Sequence, residues 1–378
     1  MSKALLNYSD EQIEEYKKEL DIVASLSNLF SDNSAPMIYY RATENIYCRA
    51  FKALNVSRSD CTADAIFDFK TGVGIKTFLD KKGGSYQKIA EFNRQAPLYR
   101  ALTGEDLIRK IAQLRNDRID FTVRNYGLKA MIYHCILRND DGSISVYEEP
   151  MHRIDIGNIK IQSLESNKCT FTDGIEEYEF YFSKSTLFKY FNLHEPFLVF
   201  KVNILPDPMD ALVKLAQTMT PGSGVGYAIP KETFPSLIIP LYSENKTRGR
   251  FVAERSGLNQ WNANGRPRNQ DEVYIPFPKH IRQTNEDFFP ARYVSWDLKL
   301  PNNEVISMAV CQSDGKALMS NPNKALGKWL LRSVLKLNYG YVVTYDDLLA
   351  LGIDSLIFRK HPDGTYDCDF IDNSVFEE

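Results

Sequence analysis

The sequence lacks the patterns that mark most metal-binding, disulfide-rich and membrane-spanning proteins. Its six cysteines are widely separated and form no C-x-x-C pair, which argues against a zinc site and a disulfide framework. No apolar run approaches the roughly 20 residues that a membrane-spanning helix needs. Residues 1–20 carry acids through their apolar positions, unlike a secretory signal peptide. We therefore expect a protein of the reducing, bacterial-type cytoplasm with no membrane partner.

Several enzyme classes are excluded by motifs that are absent. The five histidines form no His-x-Lys pair, so a phospholipase-D-type nuclease is not expected. H-E-x-x-H, G-x-S-x-G and G-x-x-x-x-G-K-[ST] are also missing from the sequence. His134 lies in the apolar stretch MIYHCIL, which predicts a hydrogen-bonded core histidine. Tyr39, Tyr40 and Tyr47 are expected to pack in the core rather than to form a stacking site.

The composition is that of a globular protein, and the length favours two domains. The chain has 378 residues, of which 43% are hydrophobic and 25% charged. Its net charge of −3 hides two local basic clusters. They comprise Lys246, Arg248, Arg250, Arg255, Arg266 and Arg268, then Lys324, Lys328 and Arg332. Such clusters attract phosphates, although either one alone is equally compatible with a solvated surface.

Periodicity suggests a different architecture for each half of the chain. Helical spacing predicts helices over 10–30, 39–55, 85–96 and 104–126. Alternation predicts strands over 59–69, 73–77, 129–138, 143–150 and 176–182. In the second half, short strands are predicted at 236–243, 272–278, 293–300, 305–312 and 365–372, with two short helices between them. The first half therefore reads as a mixed α/β domain and the second as a mainly-β barrel or sandwich.

Composition also suggests where the domains meet. The segment MTPGSGVGYAIP (219–230) is rich in Pro, Gly and Ser and cannot sustain a helix or a central strand. We predict a first domain over 1–215, a linker over 216–230 and a second domain over 231–378.

Acids and one lysine in the first half suggest a metal-dependent phosphodiesterase site. On a strand over 59–69, Asp60, Asp64 and Asp68 would share one face because their spacing is even. Lys76 lies on the strand that follows. Carboxylates hold Mg²⁺, and a cation beside them can stabilise the scissile phosphate or the attacking water. The alternative is that these charges only face solvent.

This arrangement resembles the PD-(D/E)xK nuclease core, in which strand carboxylates and one lysine meet on a bent hairpin. The resemblance covers roughly residues 37–160. It implies Asp64 as the main metal ligand and Lys76 as the catalytic cation. The acid expected before the lysine is absent, since the tripeptide is Gly74-Ile75-Lys76. Three acids could replace it as the second ligand, and they are Glu44 on the preceding helix, Asp68 on the hairpin and Glu91 on the next predicted helix.

The second half resembles the C-terminal DNA-binding domain of NgoFVII-type restriction endonucleases, a B3-like pseudobarrel. The motifs that carry the resemblance, in order, are SGLNQWNANGRPRNQDEVYIPFP, FFP, CQSDGKALMSNPNKALGKWLLR, GIDSLIFRK and YDCDFID, over roughly 232–376. In that family two loops grip a major-groove site from opposite sides. The resemblance implies a first arm with Ser256, Asn259, Gln260, Trp261, Asn262, Arg266 and Arg268. It implies a second arm with Ser320, Asn321, Asn323, Lys324 and Lys328.

The side chains of these two arms suit DNA recognition. Asn and Gln pair with adenine and Arg with guanine through two hydrogen bonds each. Lys324, Lys328 and Ser320 suit phosphate contacts, which set register rather than sequence. Trp261 could anchor the loop or touch a base, and the anchor role is favoured. The alternative is a pair of polar loops without a ligand.

Together these features predict a Mg²⁺-dependent type II restriction endonuclease acting on double-stranded DNA. NgoFVII-type enzymes carry a phospholipase-D-type catalytic half, whose His-x-Lys signature this chain lacks, so a different nuclease is expected here. A cognate DNA methyltransferase is implied as a functional partner, and a homodimer is compatible with this interpretation. The alternative is a non-catalytic, sequence-specific DNA-binding protein whose first domain dimerises. In a third interpretation the second domain is an effector and the first reads its own target.

Overall fold

The computed structural model describes residues 3–57, 59, 61–81, 84–218 and 234–372. Their contacts divide them into two units. The first unit holds the described residues up to 218 except 117–127, and the second holds 117–127 together with 234–372. The predicted linker motif at 219–230 lies outside the described residues, but a helix that continues through Thr218 covers the start of the predicted linker.

Helices and strands are mixed along the first unit, which confirms its predicted α/β character. The helices are α1 (Asp10–Ser25), α2 (Tyr40–Ala50), α3 (Ala96–Tyr99), α4 (Gly104–Tyr126) and α5 (Pro208–Thr218). The strands are β1 (Leu54–Asn55), β2 (Ala65–Phe67), β3 (Thr71–Leu79), β4 (Ser85–Glu91), β5 (Ala130–Arg138), β6 (Ser143–Pro150), β7 (Lys160–Leu164), β8 (Lys168–Thr172), β9 (Glu177–Tyr181), β10 (Thr186–Phe191) and β11 (Leu198–Lys201). Short 3₁₀ turns lie at Ser27–Leu29 and Ile156–Asn158.

A mixed six-stranded sheet of the first unit has the order β1-β2-β3-β5-β6-β11, and Asp64, Asp68 and Lys76 lie at or on its β2–β3 hairpin. Strand β3 is antiparallel to β2 and parallel to β5. A parallel pair needs a crossover, and α4 lies in the connection between these two strands. Buried residues of α1 and α2, including Leu20 and Ile46, share one apolar core with Val73 and Ile132 of the sheet. This core fixes α2 against β3, the two elements that carry Glu44 and Lys76.

A second, antiparallel sheet of the first unit has the order β4-β10-β9-β8-β7. Its first strand corrects the sequence prediction, because SYQKIAEFNRQA was expected to be helical and instead forms β4 followed by α3. Strand β4 pairs with β10 along its whole length, so backbone pairing across the chain outweighs local helical spacing. The Lys189 ammonium on β10 lies 2.7 Å from Glu149 of β6, and the Phe191 ring packs on Tyr133 at 5.1 Å. These contacts join the two sheets.

One core prediction is confirmed in this unit and another is partly wrong. His134 is fully buried and hydrogen-bonded on both ring nitrogens, at 2.8 Å to the Tyr16 hydroxyl and 3.0 Å to Glu148. Tyr47 is also fully buried. Tyr39 and Tyr40 are exposed, so the expectation that they pack in the core was wrong.

The second unit is dominated by short strands, as predicted. Its strands are β12 (Ser236–Pro240), β13 (Ser243–Asn245), β14 (Gly249–Phe251), β15 (Ile275–Pro276), β16 (Ser295–Lys299), β17 (Val305–Cys311), β18 (Ala317–Ser320), β19 (Ser355–Lys360) and β20 (Tyr366–Ile371). The helices are α6 (Lys279–Thr284), α7 (Ala325–Gly327), which continues as a π-helical segment at Lys328–Val334, and α8 (Tyr345–Leu351). Short 3₁₀ turns lie at Gly257–Asn262 and Ser313–Gly315.

Seven of these strands form one sheet that curls into a nearly closed barrel. Its order is β12-β19-β20-β16-β17-β18-β15, and the two edge strands, β12 and β15, contact each other. The interior is aromatic, with the Phe289 and Trp296 rings stacked at 4.9 Å and Trp329 tilted on Phe370 at 5.5 Å. The last part of α4 belongs to this unit, where Phe121 packs edge-on against Phe370 at 5.4 Å.

None of the described helices combines the length and the apolar composition that a membrane crossing requires.

Candidate metal centre and candidate nucleic-acid interface

Asp64 and Lys76 are held together by the β2–β3 hairpin. Asp64 directly precedes β2, and its amide donates to the Val73 carbonyl at 2.8 Å. Its carboxylate Oδ2 accepts a hydrogen bond from the Ile75 amide at 2.7 Å. Burial raises the pKa of the Asp64 carboxyl, while the charge of Lys76 and the Ile75 hydrogen bond oppose that rise. The charges of Asp64 and Lys76 therefore influence each other, and the backbone of the lysine strand orients the carboxylate.

Glu44 on α2 joins this pair. Its side chain is buried and its Oε2 accepts a hydrogen bond from Nη1 of Arg41 at 2.8 Å. Burial raises the pKa of the Glu44 carboxyl, and the next largest cause is the charge of Asp64. The two carboxyls are thus close enough to repel each other, which a bound dication would relieve.

The other two candidate acids lie elsewhere. Asp68 occupies the turn after β2 with a positive φ of 49°, and its side chain is 67% exposed beside Lys70. Glu91 ends β4 in the second sheet, where it accepts a hydrogen bond from Asn93. Asp60 lies outside the described residues. Strand β2 is shorter than predicted, so Asp68 does not share a strand face with Asp64.

Gly74 stands two residues before the lysine, where the nuclease resemblance expects an acid, and it lies close to other side chains. A Cβ built on Gly74 would lie 2.8 Å from Cε of Met151 and 3.2 Å from the Tyr133 ring. A side chain at this position would require the end of the Met151 side chain and the Tyr133 ring to shift. Of the three acids predicted as a second ligand, Glu44 is the one on which the charge of Asp64 acts in the structure.

The donor set fits magnesium better than a metal that needs a closed protein cage. Among the described residues, no three His, Cys, Asp or Glu side chains gather as a metal-binding group. Mg²⁺ is usually held by only one or two carboxylates, with water and substrate phosphate as its remaining ligands. Glu44 and Asp64 provide that number of carboxylates.

The first arm (residues 256–268) contains a 3₁₀ turn that is fastened to the barrel by Asn259. This side chain is fully buried. Its Nδ2 donates to the carbonyls of Ala253 at 3.0 Å and Val343 at 2.9 Å, and its Oδ1 accepts from the Val343 amide at 2.9 Å. The base contact predicted for Asn259 is replaced by a positioning role, because the amide is used entirely inside the protein.

Two further polar residues of the first arm also bind within the loop. Asn262 donates to the Glu254 carbonyl at 3.0 Å. Arg268 donates through Nη1 to the carbonyls of Ala263 at 2.7 Å and Asn264 at 3.2 Å. These hydrogen bonds shape the loop and leave less of either side chain for DNA.

Exposure decides which first-arm side chains can reach a duplex. Trp261 packs against the apolar core of the unit, as a loop anchor does. Ser256 and Gln260 are half-buried. The Arg266 side chain is 58% exposed and lies 2.7 Å from Glu272, whose pKa it lowers through that hydrogen bond. Arg266 is therefore the charged first-arm residue best placed for a partner.

The second arm (residues 320–328) is more open. Ser320 is buried, and its Oγ accepts from the Leu326 amide and donates to the Pro322 carbonyl, both at 2.9 Å. This replaces the phosphate contact predicted for Ser320 with a role in closing the turn. The other predicted residues are exposed, and they are Asn321, Asn323, Lys324 and Lys328. No ion pair involves either lysine within the described part of the chain.

Strand pairing brings the two arms to the same end of the barrel. Strands β15 and β18 are antiparallel, with Ile275 opposite Leu318. The start of β15, which follows the first arm, therefore lies beside the end of β18, which leads into the second arm. Behind them, Arg332 donates to the buried carboxylate of Asp271 at 2.8 Å. A Cβ on Gly327 would lie 2.1 Å from the Asp271 carbonyl oxygen, so only glycine permits this approach. These contacts hold the segment that follows the first arm, at Asp271, against the helical segment that follows the second arm.

Two residues of these sites were not predicted from the sequence. Arg41 hydrogen-bonds Glu44 three positions away on the same helix, a spacing that could have indicated the pair. Asp271 is nearly fully buried, and its partner Arg332 lies 61 residues later in the chain. No local signal in the sequence predicts that second contact.

The barrel and its two adjacent polar loops are similar to a DNA-binding domain of restriction enzymes. Residues 239–362 match the model of the NgoFVII C-terminal B3-like DNA-binding domain, and both arms lie inside the matched segment. The match supports sequence-specific binding of double-stranded DNA by the second unit. No curated protein matches the chain.

Proposed function

We propose that this protein is a Mg²⁺-dependent type II restriction endonuclease. The second unit would recognise a short duplex sequence through its two arms, and the first unit would hydrolyse a phosphodiester bond. The observation that carries the proposal is the meeting of Glu44, Asp64 and Lys76 on an α/β unit of a chain that also has a restriction-enzyme-type DNA-binding domain. The PD-(D/E)xK identity of the first unit is part of this proposal.

Each of the three groups has a defined task in the proposed hydrolysis. Glu44 and Asp64 would hold Mg²⁺, which lowers the pKa of bound water and neutralises phosphate charge. The Ile75 amide keeps Asp64 in position at 2.7 Å. The Lys76 ammonium would bind a non-bridging phosphate oxygen as negative charge grows there. The water oxygen would form the new bond to phosphorus while the bond to the leaving sugar oxygen breaks. The attacking water would lose one proton to solvent, and the leaving oxygen would take up one proton from solvent.

DNA of known sequence, incubated with the full chain in Mg²⁺ or in EDTA, tests the proposal. We expect discrete fragments only with Mg²⁺, and sequencing of their ends gives the target and the cut position. Specific binding without any cutting under a range of Mg²⁺ and Mn²⁺ concentrations would instead establish the non-catalytic DNA-binding alternative.

A pair of lysine variants distinguishes a catalytic role of Lys76 from a general effect of removing one positive charge. Lys76→Ala should abolish cutting while DNA affinity changes little, because the second unit provides recognition. Lys70→Ala is the matched control, since Lys70 lies on the same hairpin with a side chain that is 57% exposed. If both variants cut like the unaltered protein, Lys76 has no catalytic role.

The proposed activity implies partners. An unguarded site-specific nuclease would cut the genome that encodes it, so a cognate methyltransferase is part of the proposal as a functional partner. A homodimer would let two first units cut both strands, and sedimentation of the protein with and without its target duplex tests this.

A further inference from the structure

Two exposed tyrosines lie beside the candidate catalytic site of the first unit. Tyr39 directly precedes α2 and Tyr40 begins it, and they are 59% and 50% exposed. Their ring centroids are 4.4 Å apart. The two neighbouring exposed rings offer faces on which a planar partner can stack.

A continuous series of contacts connects this pair to the carboxylates. The Arg41 guanidinium carbon lies 5.5 Å from the Tyr40 ring centroid. Nη1 of Arg41 donates to Glu44 at 2.8 Å and to the Ser57 hydroxyl at 2.7 Å. Glu44 in turn interacts electrostatically with Asp64. The tyrosines, a cation and the metal-binding acids therefore lie along one side of α2.

We propose that Tyr39, Tyr40 and Arg41 form a docking element that holds the DNA strand to be cut against Glu44 and Asp64. This inference rests on the proposed nuclease function. The π face of a base or the edge of a sugar would lie on the tyrosine rings, because aromatic rings stack on bases without sequence preference. Arg41, whose side chain is 38% exposed, adds positive charge for the backbone phosphates while it positions Glu44.

DNA fits this surface better than an apolar partner does. The tyrosines are flanked by Arg41, and Lys76 acts on the same carboxylate cluster. Aromatic rings next to cations are the combination that single strands and distorted duplexes bind. An apolar protein partner would remove the part-exposed Arg41 guanidinium from water without offering it a further hydrogen-bond acceptor.

Photo-crosslinking of the full chain tests the contact without requiring cleavage. A duplex bound by the protein carries 5-iodouracil in turn at each position, with Ca²⁺ in place of Mg²⁺, and crosslinked peptides are identified by mass spectrometry. We expect at least one position to crosslink to Tyr39 or Tyr40. A complete scan in which every crosslink lies in other segments would overturn the inference, even for a protein that cuts DNA.

Cleavage rates provide the second measurement if the protein cuts. In single turnovers with saturating enzyme, the double variant Tyr39→Ala/Tyr40→Ala should be slower by about 10- to 100-fold, the range expected for loss of base stacking. The variant Tyr39→Phe/Tyr40→Phe keeps the rings and should stay within about twofold of the unaltered rate. An equal loss in the Phe variant would contradict stacking.

Phe30 offers a matched control for the alanine variants. It is 72% exposed in the same unit, and no cation–π contact of this ring occurs among the described residues. Phe30→Ala should leave both the crosslinks and the rate unchanged. If the alanine pair also leaves them unchanged in a protein that cuts, the docking element is refuted while the nuclease assignment stands.

Discussion

Replacing Asn259 by alanine should loosen the first arm from the barrel. The change removes three hydrogen bonds of 2.9–3.0 Å to backbone groups of Ala253 and Val343. At a net value of about 0.5–1.5 kcal/mol each, the direct loss is roughly 1.5–4.5 kcal/mol. Both backbone groups of Val343 lose a buried partner, and Val343 is itself only 1% exposed. We therefore expect a loss of about 3–4 kcal/mol in the free energy of unfolding.

Tryptophan fluorescence measures this loss in the second unit alone. All three tryptophans of the chain, Trp261, Trp296 and Trp329, lie in that unit. Urea unfolding followed by their emission should show a lower midpoint for Asn259→Ala with little change in slope. Amide exchange at Val343 should become faster, because its acceptor is removed.

Asn262→Ala is the matched control in the same loop. Asn262 is half-buried and donates one hydrogen bond, to the Glu254 carbonyl at 3.0 Å. Its loss should cost about 1 kcal/mol or less. The positioning role would be refuted if Asn259→Ala lowered the stability no more than Asn262→Ala and yet abolished discrimination at a single base pair. That result would support a direct contact between Asn259 and a base.

Further predictions concern charge at the two sites. Lys324→Ala and Lys328→Ala should each reduce the slope of log affinity against log salt by about 0.9, measured by fluorescence anisotropy, because each exposed lysine would neutralise one phosphate. Arg332→Ala should lower the stability of the second unit by about 3–5 kcal/mol in urea unfolding, since it leaves a buried carboxylate unpaired. Asp64→Asn should lower the pKa of Glu44, followed by ¹³C NMR, because a neighbouring negative charge is removed. In the unaltered protein, burial raises the carboxyl pKa values of Asp64 and Glu44. Mg²⁺-dependent cleavage needs both carboxylates ionised, so its rate should rise with pH. On acidification the activity should be lost at a higher pH than it would be with carboxyls of ordinary pKa.

Elements with strong local periodicity were predicted well. Helix α4 spans Gly104–Tyr126 and strand β6 spans Ser143–Pro150, and both have the predicted bounds. The mainly-β character of the second unit was also correct. In these segments the spacing of apolar side chains and the local backbone preference agree. The region 85–96 was predicted incorrectly because its helical spacing competes with pairing to a strand about 100 residues later in the chain.

The choice among the candidate acids required the tertiary structure. In the sequence Glu44, Asp68 and Glu91 are equivalent, since each is a carboxylate near the hairpin lysine in the chain. Packing of α2 against β3 brings Glu44 to Asp64, whereas the left-handed turn turns Asp68 outward. A side chain's neighbours depend on how elements pack, and the local sequence does not encode that packing.

The sequence by itself determined which chemical groups this protein can use. Three such features are properties of composition and order. They are the amides and guanidinium groups on two loops, two carboxylates and a lysine near one hairpin, and the absence of thiolate and histidine metal motifs. Only the tertiary structure decided which of those groups remain free for a ligand. It uses Asn259, Asn262 and Arg268 in hydrogen bonds within the second unit and leaves Lys324 and Lys328 exposed. The physical reason is that buried polar groups must be satisfied within the protein, and which ones are buried is settled only when the chain has folded.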